Sequence, residues 1–135
     1  MAAVVIDGMA MLSLLRDEPG ADSVRVLLER ATERGSSLHM SVLDFALMRE
    51  SVQQREGSRA WDEVAQNILS APIEYHEIDQ SLALAAIEIH SRTKIGIPES
   101  ITAALAKKIK ADLVTSNPTF AQLAGEVRTK FTNKD

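Results

Sequence analysis

The chain has 135 residues, 45% of them hydrophobic, and carries 15 Lys+Arg against 19 Asp+Glu for a net charge of −4. That length predicts a single domain over residues 1–135 with an ordinary buried core, and the acidic balance argues against nucleic-acid binding driven by overall charge, leaving a local basic patch open. With no cysteine there are no disulfides, thiolate metal sites or cysteine catalysis; no apolar run approaches the ~20 residues of a membrane span, and "MAAVVIDG" lacks a basic n-region, so a cytoplasmic protein with no membrane association is expected.

Residues 2–6 (AAVVI) form a continuous apolar run rich in β-branched residues, the pattern of a strand covered on both faces. Asp7 and Gly8 end it, and "MAMLSLLR" reads as a helix followed by a "DEPG" turn. From Asp22, Val24, Leu27, Leu28 and Ala31 share one helical face, with Gly35 as the expected C-cap. A short strand is predicted at 37–40. Ser41 then caps "VLDFALMRESVQQR", and another helix is expected over 58–70. A strand is expected within 72–78, followed by a helix capped by Asp79 and a second helix with Pro98 near its start. "DLVTS" reads as a buried strand, Asn117-Pro118 as the start of a short helix, and "EVRTKF" as an edge strand, with the tail "TNKD" expected to fray.

Alternating strands and helices imply an α/β fold with a mainly parallel sheet and helices on both faces. In such a sheet ligands bind beyond the carboxyl ends of the strands. Asp7 follows the first strand, Thr115, Ser116 and Asn117 lie at the end of the fourth, and Glu99 lies in the first turn of the preceding helix. Oxygen ligands gathered there suit Mg2+ or Mn2+, ions that serve phosphodiester hydrolysis. Each residue also has a purely structural reading. Asp-Gly makes a turn, Glu99 complements a helix dipole, and Asn117 caps a helix. His39, His76 and His90 stand singly without a metal-binding spacing, and Trp61 and Tyr75 are too isolated to form a stacking platform.

"VVIDGMAMLSLL", "MSVLDFALMRE" and "IPESITAALAKKIKADLVTSNPTF" together resemble the PIN-domain family, especially the VapC-like toxins, over nearly the whole chain. The resemblance implies a three-layer α/β/α sandwich with a central sheet of about five strands, and an acidic cluster that binds divalent metal. It implies RNA as substrate, a homodimer, and a cognate antitoxin that obstructs the site. Carried over by position, Asp7 matches the family's first acid and Thr115 its hydroxyl residue. Glu99 stands where an Asp is usual, Asn117 replaces another Asp, and Leu47 occupies the usual place of a Glu six residues after Ser41. Asp44 and Glu50 lie three residues to either side of Leu47, one turn away on roughly the same helical face. A turn displaces a side chain by about 5 Å, large beside a metal–oxygen bond of about 2.1 Å.

Two readings stand. In the first, a metal-dependent ribonuclease uses Asp7, Glu99 and Asn117 as ligands, supplemented by Glu50 or Asp44, with Thr115 and Asn117 positioning water or phosphate. Lys107, Lys108, Lys110, Arg128 and Lys130 would then contact the RNA backbone. In the second, a catalytically impaired PIN fold is retained for dimerisation, RNA binding or partner binding.

Overall fold

The computed structural model describes residues 3–133, so Ala2 of the expected first strand and residues 134–135 of the expected frayed tail lie outside the described residues. In chain order the elements are β1 (Val4–Ile6), α1 (Gly8–Leu15), α2 (Ala21–Arg34), β2 (Leu38–Ser41), α3 (Val42–Arg55), α4 (Ser58–Ser70), β3 (Ile73–His76), α5 (Gln80–Thr93), α6 (Ile97–Lys108), β4 (Asp112–Thr115), a 3-10 helix (Pro118–Leu123) and β5 (Thr129–Phe131). The five strands pair in the order β3-β2-β1-β4-β5, every pair parallel.

Side-chain alternation along the strands divides the core into two layers. Val5 and Leu113, opposite one another in register, pack with Leu82, Ile89, Ile101, Leu105 and Phe120 beneath α5, α6 and the 3-10 helix. Ile6, Met40 and Val114 face the other way, against Met11, Val24, Met48, Val52, Trp61 and Ile68 of α1–α4. Burial on both faces is the reason that β1 reads as an unbroken apolar run rather than an alternating one.

The capping residues set the helix entries. Ser41 Oγ accepts the Asp44 N–H at 3.1 Å, and Asp79 Oδ1 accepts the Leu82 N–H at 2.8 Å. Gly35 ends α2 in the left-handed region at φ 64°, where a Cβ is disfavoured. The segment after Asn117 forms a 3-10 rather than an α-helix, and β5 keeps only the last part of the predicted "EVRTKF" strand.

The strand order fixes where a site can form. The chain leaves β1 toward α1 on one face and leaves β4 toward the 3-10 helix on the other. Adjacent strands with diverging exits leave a crevice beyond their carboxyl ends, the usual ligand position in open α/β sheets.

Candidate active site

A cleft of about 220 Å³ opens at that crevice, lined by Asp7, Asp44 and Glu99 together with Leu47, Ser51, Thr102 and Asn117. Asp7 is the N-cap of α1. Its Oδ1 accepts the Ala10 N–H at 2.9 Å, and its Oδ2 accepts the Thr115 hydroxyl. Thr115 Oγ1 in turn accepts the Asn117 N–H at 2.9 Å, which leaves the hydroxyl proton directed at Asp7. One aspartate thus ends β1, starts α1 and ties both to the end of β4.

Asp44 enters from the first turn of α3. Its Oδ1 accepts the Gly8 N–H at 3.2 Å and its Oδ2 accepts the Thr102 hydroxyl at 2.7 Å. Gly8 is needed for this approach, because a Cβ there would lie 3.0 Å from Met48 Cγ and 3.2 Å from the Asp44 carbonyl oxygen. Glu50, the other acid flanking Leu47, is exposed on α3, accepts from Gln54 at 3.5 Å and is not among the residues lining the cleft. Leu47 itself lines the cleft and is 38% exposed.

Glu99 arrives from the start of α6. Its Oε2 is buried without a hydrogen-bond partner, and it takes part in no ion pair among the described residues. Asn117 caps the 3-10 helix, its Oδ1 accepting the Thr119 N–H at 3.0 Å, while its side chain borders the cleft. Cap and cleft positions therefore coincide at Asn117 as they do at Asp7.

Crowding three carboxyl groups into a buried crevice has an electrostatic cost. Burial pushes the Asp7 carboxyl up to about 7, against the pull of the Thr115 and Ala10 donors, and the charges of Asp44 and Glu99 add to the rise. Burial likewise raises Asp44, with Glu99 adding and the Thr102 and Gly8 donors opposing. An all-oxygen set of this kind, with a buried oxygen of Glu99 left unpartnered, fits a hard divalent cation, which would favour the charged forms of all three groups.

The basic residues expected to reach RNA lie elsewhere. Lys107 and Lys108 close α6, and Asp112 pairs in register with Val4, so this end of the sheet is opposite to the one carrying Asp7. Lys107 bonds Glu126 at 3.0 Å, Lys108 lies 3.5 Å from Asp79, and Arg128 and Lys130 each stand 4.0 Å from Asp112. A cation that does reach the cleft wall is Arg16, which donates to Ser51 Oγ at 3.0 Å and pairs with Glu56 at 2.9 Å. Sequence reasoning did not single out Arg16 or Thr102. The available signal for Thr102 was its place three residues after Glu99, on the same face of α6.

Fold and site together define an α/β protein with an acidic cleft at the topological switch of a parallel sheet. The PIN domain family model matches residues 4–126, and the chain belongs to that family, whose members are generally nucleases and typically use divalent metals. Solved structures place it beside toxin–antitoxin proteins at low identity. VapBC2 from Rickettsia felis, bound to a DNA fragment from its promoter, matches with a TM-score of 0.76 at 16% identity, covering 96% of this chain and 98% of that one. DNA-bound VapBC from Salmonella typhimurium matches at 0.74 and 14% identity, over 98% of this chain and 99% of that one. A toxin–antitoxin complex from Klebsiella pneumoniae matches at 0.71 and 16% identity, over 98% of this chain and 100% of that one. No curated protein sequence matches the chain.

Proposed function

We propose that this protein is a VapC-type, metal-dependent endoribonuclease, the toxin of a toxin–antitoxin pair, working in the cytoplasm as a homodimer. The observation that carries the reading is the convergence of Asp7, Asp44 and Glu99 on one cleft, with a buried Glu99 oxygen unpartnered. Asp7, Asp44 and Glu99 would hold Mg2+ or Mn2+, and Asn117 would contribute its remaining carbonyl lone pair. When bound, such an ion supplies charge stabilisation and activates water for phosphodiester hydrolysis. The chain's own residues do the rest. Thr115 and Thr102 keep one oxygen each of Asp7 and Asp44 turned away from solvent, and Asn117, held by its cap bond to the Thr119 amide, would position water or the phosphate. Arg16 can exchange part of its pairing with exposed Glu56 for an RNA phosphate.

An antitoxin partner is supported by the complexes to which the fold is similar. A homodimer is supported by α5, where Leu84 and Ile87 are 64% and 45% exposed one turn apart while Leu82, Ala86 and Ile89 fill the core.

The test is cleavage of a mixed RNA substrate in Mn2+ and in chelator, with Asp7→Asn and Glu99→Gln variants alongside. Cleavage that requires the ion and is lost in both variants is the expected result. Neither cleavage nor cation binding in the intact chain would overturn the nuclease and leave the impaired fold, to which neutral Leu47 and Asn117 in the cleft already point.

A further inference from the structure

Three side chains that the acidic cleft does not use meet on β2 and β3, at one edge of the sheet. His39 on β2 pairs in register with Glu74 on β3, and with Val5 of β1, whose side chain packs beneath α5 and α6. Glu74 and His76, two residues apart on a strand, point to the same face as His39. His39 Nδ1 stands 2.8 Å from His76 Nε2 and 3.0 Å from Glu74 Oε2, and His76 Nε2 is 3.5 Å from the same oxygen.

The proton count in this triangle is short. Two neutral imidazoles facing each other can place only one proton between their near nitrogens, because two would collide. With each ring carrying its proton on the far nitrogen instead, the near nitrogens present lone pairs to a common point with no proton between them, and an ionised carboxylate adds only acceptors. Convergent lone pairs from two imidazoles and a carboxylate are the donor set of a borderline divalent cation, the His2Glu pattern that zinc accepts with an open fourth position. Metal–ligand bonds of ~2.0–2.1 Å in a tetrahedron separate ligand atoms by about 3.4 Å. The observed 2.8, 3.0 and 3.5 Å need only a few tenths of an ångström of side-chain rotation to reach it. The rings are tilted by 50° with centroids 5.0 Å apart, not stacked, so both can aim a nitrogen at one point. Glu74, with its side chain 61% exposed, leaves solvent free to supply the fourth ligand, whereas the imidazoles, 19% and 25% exposed, are held by the sheet.

We infer that His39, Glu74 and His76 form a Zn2+ site, separate from the acidic cleft, that clips the four-residue edge strand β3 to β2. Nitrogen donors select zinc-like ions over Mg2+, so the two sites take different metals. Because the clip spans two strands that are apart in the unfolded chain, its binding energy adds to folding stability. The site is independent of any nuclease activity.

The test is titration of the metal-free full chain with Co2+ as a spectroscopic probe, followed by displacement with Zn2+. In a background of excess Mg2+, which fills the oxygen-lined cleft, the intense visible absorption of a four-coordinate site should saturate at one equivalent of Co2+ and be released by Zn2+. His39→Gln and His76→Gln should each weaken binding by more than about 100-fold, beyond the range for an outer-shell partner. Glu74→Gln should weaken it as well, and its exposed position keeps that variant folded if loss of a histidine does not. Asp7→Asn should bind as the parent does, and Zn2+ should raise the thermal midpoint of both but not of His76→Gln. The inference is overturned if no stoichiometric Co2+ or Zn2+ binding occurs, if binding survives His76→Gln and Glu74→Gln, or if Asp7→Asn abolishes it.

Discussion

Replacing Asp7 by Asn tests whether the cleft is built around charge that the protein alone does not stabilise. The Asp7 carboxyl titrates near 3.8 in the unfolded chain and at about 7 in the folded one. A group that holds its proton more tightly when folded contributes stability in full below pH 3.8 and loses it as pH rises through about 7. At ~1.4 kcal/mol per pH unit, that window amounts to roughly 4 kcal/mol, of which roughly 3 kcal/mol falls above pH 5. Asn carries no charge to desolvate. It keeps the Ala10 N–H on its oxygen, but its NH2 meets a Thr115 hydroxyl that already accepts from Asn117, a mismatch worth about 1 kcal/mol. Urea denaturation in chelator should therefore show Asp7→Asn less stable than the parent by ~1 kcal/mol near pH 4 and more stable by ~3 kcal/mol at pH 8. Saturating Mn2+ at pH 8 should stabilise the parent, by ~2.7 kcal/mol at a hundredfold excess over Kd, and leave the variant nearly unchanged. A stability difference that does not move between pH 4 and pH 8 would refute the reasoning.

Thr102→Val removes the donor to Asp44 Oδ2 at a position only 1% exposed; it should cost ~1–2 kcal/mol at pH 8 and progressively less as pH falls and Asp44 takes up its proton, read by urea denaturation, because the lost bond favours the ionised carboxylate. Leu47→Glu restores an acid at a half-open position on the cleft wall. It should leave stability within about 0.5 kcal/mol while tightening Mn2+ binding roughly tenfold by calorimetry. Gly96→Ala would set a Cβ 2.7 Å from both Glu99 carboxylate oxygens on a backbone, φ −59° and ψ 158°, that any residue adopts. Denaturation should therefore change by less than ~1 kcal/mol while Mn2+ affinity shifts as the carboxylate swings away.

What the sequence made legible, and what it did not, follows from how each residue is placed. Asp7, Thr115 and Asn117 sit at the ends of short apolar runs, so once a parallel sheet is inferred their meeting at one edge follows. The choice between Asp44 and Glu50 could not be read, since both lie one turn from Leu47 on the same helix. Asp44, and not Glu50, lines the cleft because donors from other elements hold it there, the Gly8 amide of α1 and the Thr102 hydroxyl of α6. The His39, Glu74 and His76 triangle was invisible for a related reason. Its spacing is that of a strand face, and its third member comes from a neighbour whose register no local pattern encodes. Of the lysines and arginines expected to serve RNA, Lys107 and Lys108 end α6 just before β4 begins, at the end of the sheet away from Asp7, while Lys130, level with Val114, and Arg128 turn their side chains back toward Asp112.

The hydrogen bonds also divide the cleft into fixed and movable parts. Each oxygen of Asp7 and of Asp44 accepts one donor from the protein, two backbone amides and two hydroxyls in all. A carboxylate oxygen has room for about two such contacts, so both acids keep accepting capacity beyond these bonds. These two acids are thus oriented in advance, and their orientation is independent of any ion. Glu99 differs, having no donor on Oε2 and resting beside Gly96, where no side chain occupies the space. A cation entering the cleft needs only the Glu99 side chain to turn, and the unfavourable burial of Asp7 and Asp44 is relieved in the same step. Leu47 and Asn117 bring no charge to the cleft and leave this arrangement intact, since neither residue supports Asp7 or Asp44 through its side chain.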